Sequence, residues 1–230
     1  MHILPGILVT GAFLLFKPLL DSSGYPPLLA FLLAVLLVGL PFPIGVMLFK
    51  GKKLNGHYSL KGVLGYREKI PWKTFTWVFI AAGVAAYGLL VLAAPLSTAL
   101  QGSLFSWLPD WMILEEQTQY GVFPKNVLLV TFSLQLVVTG VLLPWVEEMY
   151  FRGYLLPRIS RFGKAAPLLG GIFFGLYHVW QLYGFVSVLF LGVLLGYLVW
   201  WKRDLRLSIS MHIFANALAV VMSLLLVLTM

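Results

Sequence analysis

Residues 126–159 read NVLLVTFSLQLVVTGVLLPWVEEMYFRGYLLPRI. A helix crosses the hydrocarbon of a bilayer with about 20 apolar residues. This stretch is longer than one simple crossing needs, and it carries Glu147, Glu148 and Arg152 inside apolar sequence. Charged groups at membrane depth are expensive and mark functional sites by default.

The rest of the chain has the same character. Of 230 residues, 60% are hydrophobic and 10% charged, and the mean hydropathy is +0.94. A soluble domain is roughly 45–50% apolar and about 25% charged, so a soluble globule is excluded. Six further apolar stretches run from Ile3 to about Leu20, Pro26 to Phe49, Phe75 to Leu100, Ala165 to Tyr183, Gly184 to Trp201 and Leu207 to Met230. The first lacks a basic start and a small-residue cleavage site, so it reads as a retained span. The expected fold is all-α, a polytopic transmembrane helical bundle of about seven spans. Residues 1–230 form one integral membrane domain, with core helices in 126–216 and spans of unassigned role in 1–125.

Charge sets an orientation. Lys50, Lys52, Lys53, Lys61, Arg67, Lys69 and Lys73 fall in one loop with a single acid, Glu68. Arg158, Arg161 and Lys164 form a second basic cluster, and Lys202, Arg203 and Arg206 a third. Between Gln101 and Lys125 stand Asp110, Glu115 and Glu116. Placing the basic clusters in the cytoplasm alternates consistently through all spans, with the N-terminus cytoplasmic and the C-terminus outside a plasma membrane. Trp72, Trp77, Trp107, Trp111, Trp200 and Trp201 fit interfacial belts. The net charge of +8 is thus a topology signal, and no nucleic-acid partner is expected. The absence of cysteine excludes disulfides and thiolate chemistry.

Three other polar residues interrupt the later spans: His178, His212 and Asn216. Measured from the basic clusters, Glu147 lies about 16 Å in, His178 about 18 Å, Asn216 about 15 Å and His212 about 9 Å. Three segments distant in sequence can therefore present polar groups in one layer. Glu148 and Arg152 are i, i+4 and can pair, leaving Glu147, about 100° around the helix, to point elsewhere. A free carboxylate suits a general base. His212 and Asn216 share a face and offer donors for an oxyanion. Gly171 with Gly175, and Gly192 with Gly196, are spaced for close helix contact. His2 and His57 receive no role. There is no HExxH, no GxSG-like serine motif in a span, and no aspartate deep in one.

Glu147-Glu148-Met-Tyr-Phe-Arg152 resembles the EExxxR motif of the CPBP family, which takes in CAAX proteases and bacteriocin-processing or immunity proteins. Phe174-Gly-Leu-Tyr-His178 is similar to its FxxxH motif, and His212-Ile-Phe-Ala-Asn216 to its HxxxN motif. The resemblance implies an intramembrane endopeptidase acting near the cytoplasmic face on a peptide or lipidated-protein substrate. Glu147 would activate water with help from His178. Glu148 and Arg152 would organise the site, and His212 with Asn216 would form the oxyanion hole. Glu147, His178 and His212 could also supply three Zn²⁺ ligands, but an adjacent arginine opposes a dication, so no required metal is the favoured reading. A non-catalytic immunity or partner protein, and a small transporter, are the competing readings.

Overall fold

The computed structural model of the chain describes residues 2–109 and 121–230. Asp110, Trp111, Glu115 and Glu116 of the acidic loop lie outside the described residues. Seven helices occur among the described residues: α1 Leu4–Asp21, α2 Pro27–Asn55, α3 Trp72–Gln101, α4 Lys125–Arg158, α5 Ala166–Tyr177, α6 Phe185–Lys202 and α7 Leu205–Thr229. There is no strand among them, only one antiparallel bridge between Arg67 and Asp204. The expected all-α membrane bundle is what the chain forms.

Six helical segments are long and apolar enough to cross a membrane; the 12-residue α5 is the shorter seventh. The fifth apolar stretch extends to Tyr183 in sequence, but its α-helix ends at Tyr177. His178 leaves helical geometry at φ −79°, ψ 53°. Its N–H bonds the Gly175 carbonyl, and its Nδ1 takes the Phe174 carbonyl at 2.8 Å. The side chain thus serves a carbonyl that the helix end would otherwise orphan. A 3₁₀ stretch, Val179–Gly184, then turns the chain into α6.

The four expected glycines build the α5–α6 seam. A Cβ on Gly171 would lie 2.8 Å from the Val193 nitrogen, and one on Gly192 would lie 3.3 Å from Gly171 Cα. Gly175 meets the Phe185 ring and Gly196 the Pro167 carbonyl in the same way. Without side chains at these points the backbones approach closely, which is how helices associate in lipid. α7 packs along the length of α4, α3 lies on α6, and α1 pairs with α2.

α4 contains two π-helical segments, Leu136–Leu142 and Met149–Leu155, which flank the glutamate pair. Such widened turns are frequent at functional sites. The first has a local cause. Leu143 N–H bonds the Val138 carbonyl, five residues back. In that register the next donor would be residue 144, aimed at Thr139, but Pro144 has no N–H. The Thr139 carbonyl instead accepts from Asn216 Nδ2 at 3.2 Å.

The three basic segments meet at one end of the bundle. Gly65 N–H donates to the Gly153 carbonyl at 2.8 Å, Glu68 N–H to Arg203 at 3.0 Å, and Leu205 N–H to Tyr66 at 2.8 Å. Arg158 reaches the Val63 carbonyl at 3.0 Å. Asp204, set aside in the sequence as not deep in a span, is buried there. It caps α7 and accepts from Ile70 N–H at 3.1 Å and from Arg206. Burial alone would push its carboxyl up; the Arg206 guanidinium and the main-chain donors of Ile70 and Arg206 outweigh burial and hold it below its ordinary value. At the other end, Lys125 Nζ donates to the Leu228 carbonyl. Trp72, Trp77, Trp107 and Trp201 are exposed, as interfacial residues of a membrane protein would be.

Candidate active site

Glu147, Glu148, Arg152, His178 and His212 are all buried and lie together where α4, the end of α5 and α7 converge. Glu148 is fully buried and Arg152 is 2% exposed, so each charge depends on the other. Arg152 Nη1 donates to Glu148 Oε1 at 2.7 Å. Its Nη2 donates to the Gly192 carbonyl at 2.8 Å, within reach because of the glycine seam, and its guanidinium stacks 4.4 Å from the Phe174 ring centre. This network is local in sequence at one end and depends on α6 at the other.

The histidine tautomers follow from their partners. The Phe174 carbonyl can only accept, so His178 Nδ1 carries the proton. His212 Nδ1 lies 2.9 Å from Glu148 Oε1; a carboxylate paired with Arg152 also only accepts, so this Nδ1 is the donor too. In the neutral rings each Nε2 then presents a lone pair. Both face Glu147: His178 Nε2 is 3.8 Å from Oε1 and His212 Nε2 is 3.9 Å from Oε2. Glu147 Oε1 has no hydrogen-bond partner among the described residues, nor has the buried Tyr177 hydroxyl, which interacts with Glu147.

One water bridges such gaps readily, since two hydrogen bonds of about 2.8 Å span anything up to about 5.6 Å. A tetrahedral Zn²⁺ at 2.0–2.1 Å needs ligand atoms about 3.4 Å apart. The ligand types match, and Glu148 behind His212 is a common outer partner of zinc ligands. The spacings, however, are about half an ångström too wide, and no trio of ligating side chains among the described residues has the geometry to hold a metal.

Asn216 stands apart from the buried five. It is half-buried, bonded to Thr139, and lines an open cavity of about 620 Å³ together with Glu147 and His178. Glu148 and Arg152 do not reach this cavity. Gln135 does, and its Oε1 is buried without a partner among the described residues. Gln135 is uncharged and belongs to none of the three motifs, so the sequence did not mark it. Twelve residues of regular α-helix would turn it about 120° away from Glu147; the wider turns of Leu136–Leu142 offset that drift and bring both residues to the same cavity. His2, assigned no role, bonds the Tyr150 hydroxyl at 2.9 Å and packs on Phe173, on the basic-cluster side of Glu147.

Residues 129–218 match the family model described as type II CAAX prenyl endopeptidase Rce1-like. Over those residues the chain is similar to that family. The match takes in all three motifs and bears out the family resemblance they carry. No curated protein and no solved structure gives a significant match to the chain. With its six apolar crossings, this is a multi-pass membrane protein whose core points to a protease family.

Proposed function

We propose that the protein is an intramembrane endopeptidase in which Glu147 activates a water. The observation that carries this is a buried carboxylate with an unpaired oxygen, at the inner end of an open cavity, facing two imidazole nitrogens. Water held between Glu147 and His178 loses a proton to Glu147 as its oxygen adds to the peptide carbonyl. The resulting oxyanion takes hydrogen bonds from the second Asn216 amide hydrogen and from His212 Nε2–H. His212 donates there when both ring nitrogens carry protons, its Nδ1 being held by the Glu148 carboxylate. The proton on Glu147 passes to the amide nitrogen, the C–N bond breaks, and the carboxylic acid formed gives its remaining proton to the amine, so that a carboxylate and an ammonium leave.

Glu148 and Arg152 act by orienting His212. The distances around Glu147 suit a water better than a Zn²⁺ ion, so the reaction proceeds without a metal, and purified enzyme should keep its activity after dialysis against EDTA. The substrate is a peptide, with or without a lipid. The setting is a plasma membrane with the basic loops cytoplasmic. The deciding experiment is peptide cleavage by purified protein: wild type cleaves and Glu147→Gln does not. Cleavage by that variant would leave the non-catalytic partner reading in place.

A further inference from the structure

We infer that the groove between α3 and α6 binds an anionic phospholipid, its acyl chain in the groove and its headgroup among Lys73, Lys164 and Lys202. The groove is separate from the Glu147 cavity, and the inference does not rest on the peptidase reading.

Among the six helices long enough to cross, α3 has the smallest buried share. Only Phe75, Ala82 and Ala93 of its residues are buried, and it leans chiefly on α6. Near the basic end the two helices do not close. Ala81 and Ala82 carry too little side chain to fill the space beside Leu194 and Leu198, and a groove of about 660 Å³ is left. α3 begins at that end and α6 stops there, so Trp77 and Trp201 stand at the outer edge, 72% and 63% exposed. Ala82 and Leu194 lie about 8–10 Å deeper along their helices.

No charged side chain lines the groove. The Tyr197 hydroxyl in its wall donates to the Lys164 carbonyl at 2.9 Å. Such a slot takes an acyl chain by van der Waals packing, which favours close fit but does not tell one lipid from another. The headgroup end does. Lys202 Nζ sits 3.4 Å from the Trp201 ring centre. Lys164 is tied to the groove wall through Tyr197, and Lys73 lies one turn before Trp77 on the same face of α3. None of the three forms an ion pair among the described residues. The acids of this end are Glu68 and Asp204, and Asp204 is committed to Arg206.

Three ammonium groups without acidic partners, at the mouth of an apolar slot, complement a negative phosphodiester above an acyl chain. A zwitterionic headgroup would bring its own cation against them. A second copy of the chain fits worse, because a two-fold axis along the membrane normal would set the same lysines face to face.

Purified protein in detergent would be titrated with dioleoyl phosphatidylglycerol and with dioleoyl phosphatidylcholine, binding being read by native mass spectrometry. Preferential binding of phosphatidylglycerol is expected. The triple variant Lys73→Gln, Lys164→Gln, Lys202→Gln should bind it about a hundredfold more weakly. Ala81 is exposed and tolerates a larger group, so Ala81→Phe fills the groove, keeps the charges and should also lose the lipid. A second triple variant, Lys50→Gln, Lys52→Gln, Lys53→Gln, removes equal charge elsewhere at the basic end and should bind as wild type. Equal binding of the two lipids, unchanged binding by Ala81→Phe, or an equal loss in the second triple variant would overturn the site. So would displacement of the lipid by an equal concentration of glycerol phosphate, which would assign the lysines to a free phosphate. A dimer that Ala81→Phe dissolves would overturn it too, assigning the groove to a second copy.

Discussion

Glu147 and Glu148 are neighbours with different surroundings. Glu148 is tied by Arg152, which in turn holds the Gly192 carbonyl. Removing one partner of a buried pair leaves an uncompensated charge and costs about 3–5 kcal/mol, whereas replacing both with apolar residues is often neutral. Glu148→Leu or Arg152→Leu alone should therefore lower the melting temperature in detergent markedly. The double variant should recover most of it and remain without peptidase activity, because His212 has lost its orienting carboxylate. The i, i+4 pairing and the separate aim of Glu147 were legible in the sequence. The reach of Arg152 to α6 was not, because Gly192 is 40 positions away and the bond uses its backbone. Gln135 was also missed, since an uncharged amide in an apolar span is not by itself a signal.

Among the elements, the seven apolar stretches map onto the seven helices, because membrane crossing demands long apolar runs that hydropathy reports. Their internal shape is another matter. The π segments of α4 depend on a missing N–H at Pro144 and on a donor from α7, a tertiary partner that local sequence does not name. α5 stops at Tyr177 because the His178 ring bonds a carbonyl, although Val179 and Trp180 continue the apolar run. The glycine seam was readable from its spacing. Gly171→Leu would force a side chain against Val193, with its Cβ already 2.8 Å from the Val193 nitrogen. Overpacking of this kind costs about 1–3 kcal/mol, so a lower melting temperature is expected, while Gly11→Leu, whose Cβ meets nothing within 4 Å, should melt near wild type.

For the whole molecule, charge patterning foretold that the three basic segments share one end, and the contacts of residues 56–71 with the α4 and α6–α7 ends make them one cap. What charge could not foretell was that the cap is closed, since closure lies in main-chain bonds to Tyr66, Glu68 and Gly65. Asp204 makes that cap sensitive to acid. Its carboxyl is held below the ordinary value, so its stabilising contribution is present above the unfolded carboxylate range, near pH 4, and is lost as pH falls through the lower folded value. Asp204→Asn should melt below wild type at pH 7, and the difference should shrink as pH drops below about 4.

The account turns on Glu147 as the group that activates water. Cleavage of a quenched fluorescent peptide by purified protein, compared between wild type and Glu147→Gln with both confirmed folded by thermal melting, tests it most directly. The account predicts turnover by wild type and a fall of at least about 100-fold in the variant; a folded Glu147→Gln protein that cleaves at the wild-type rate would contradict it.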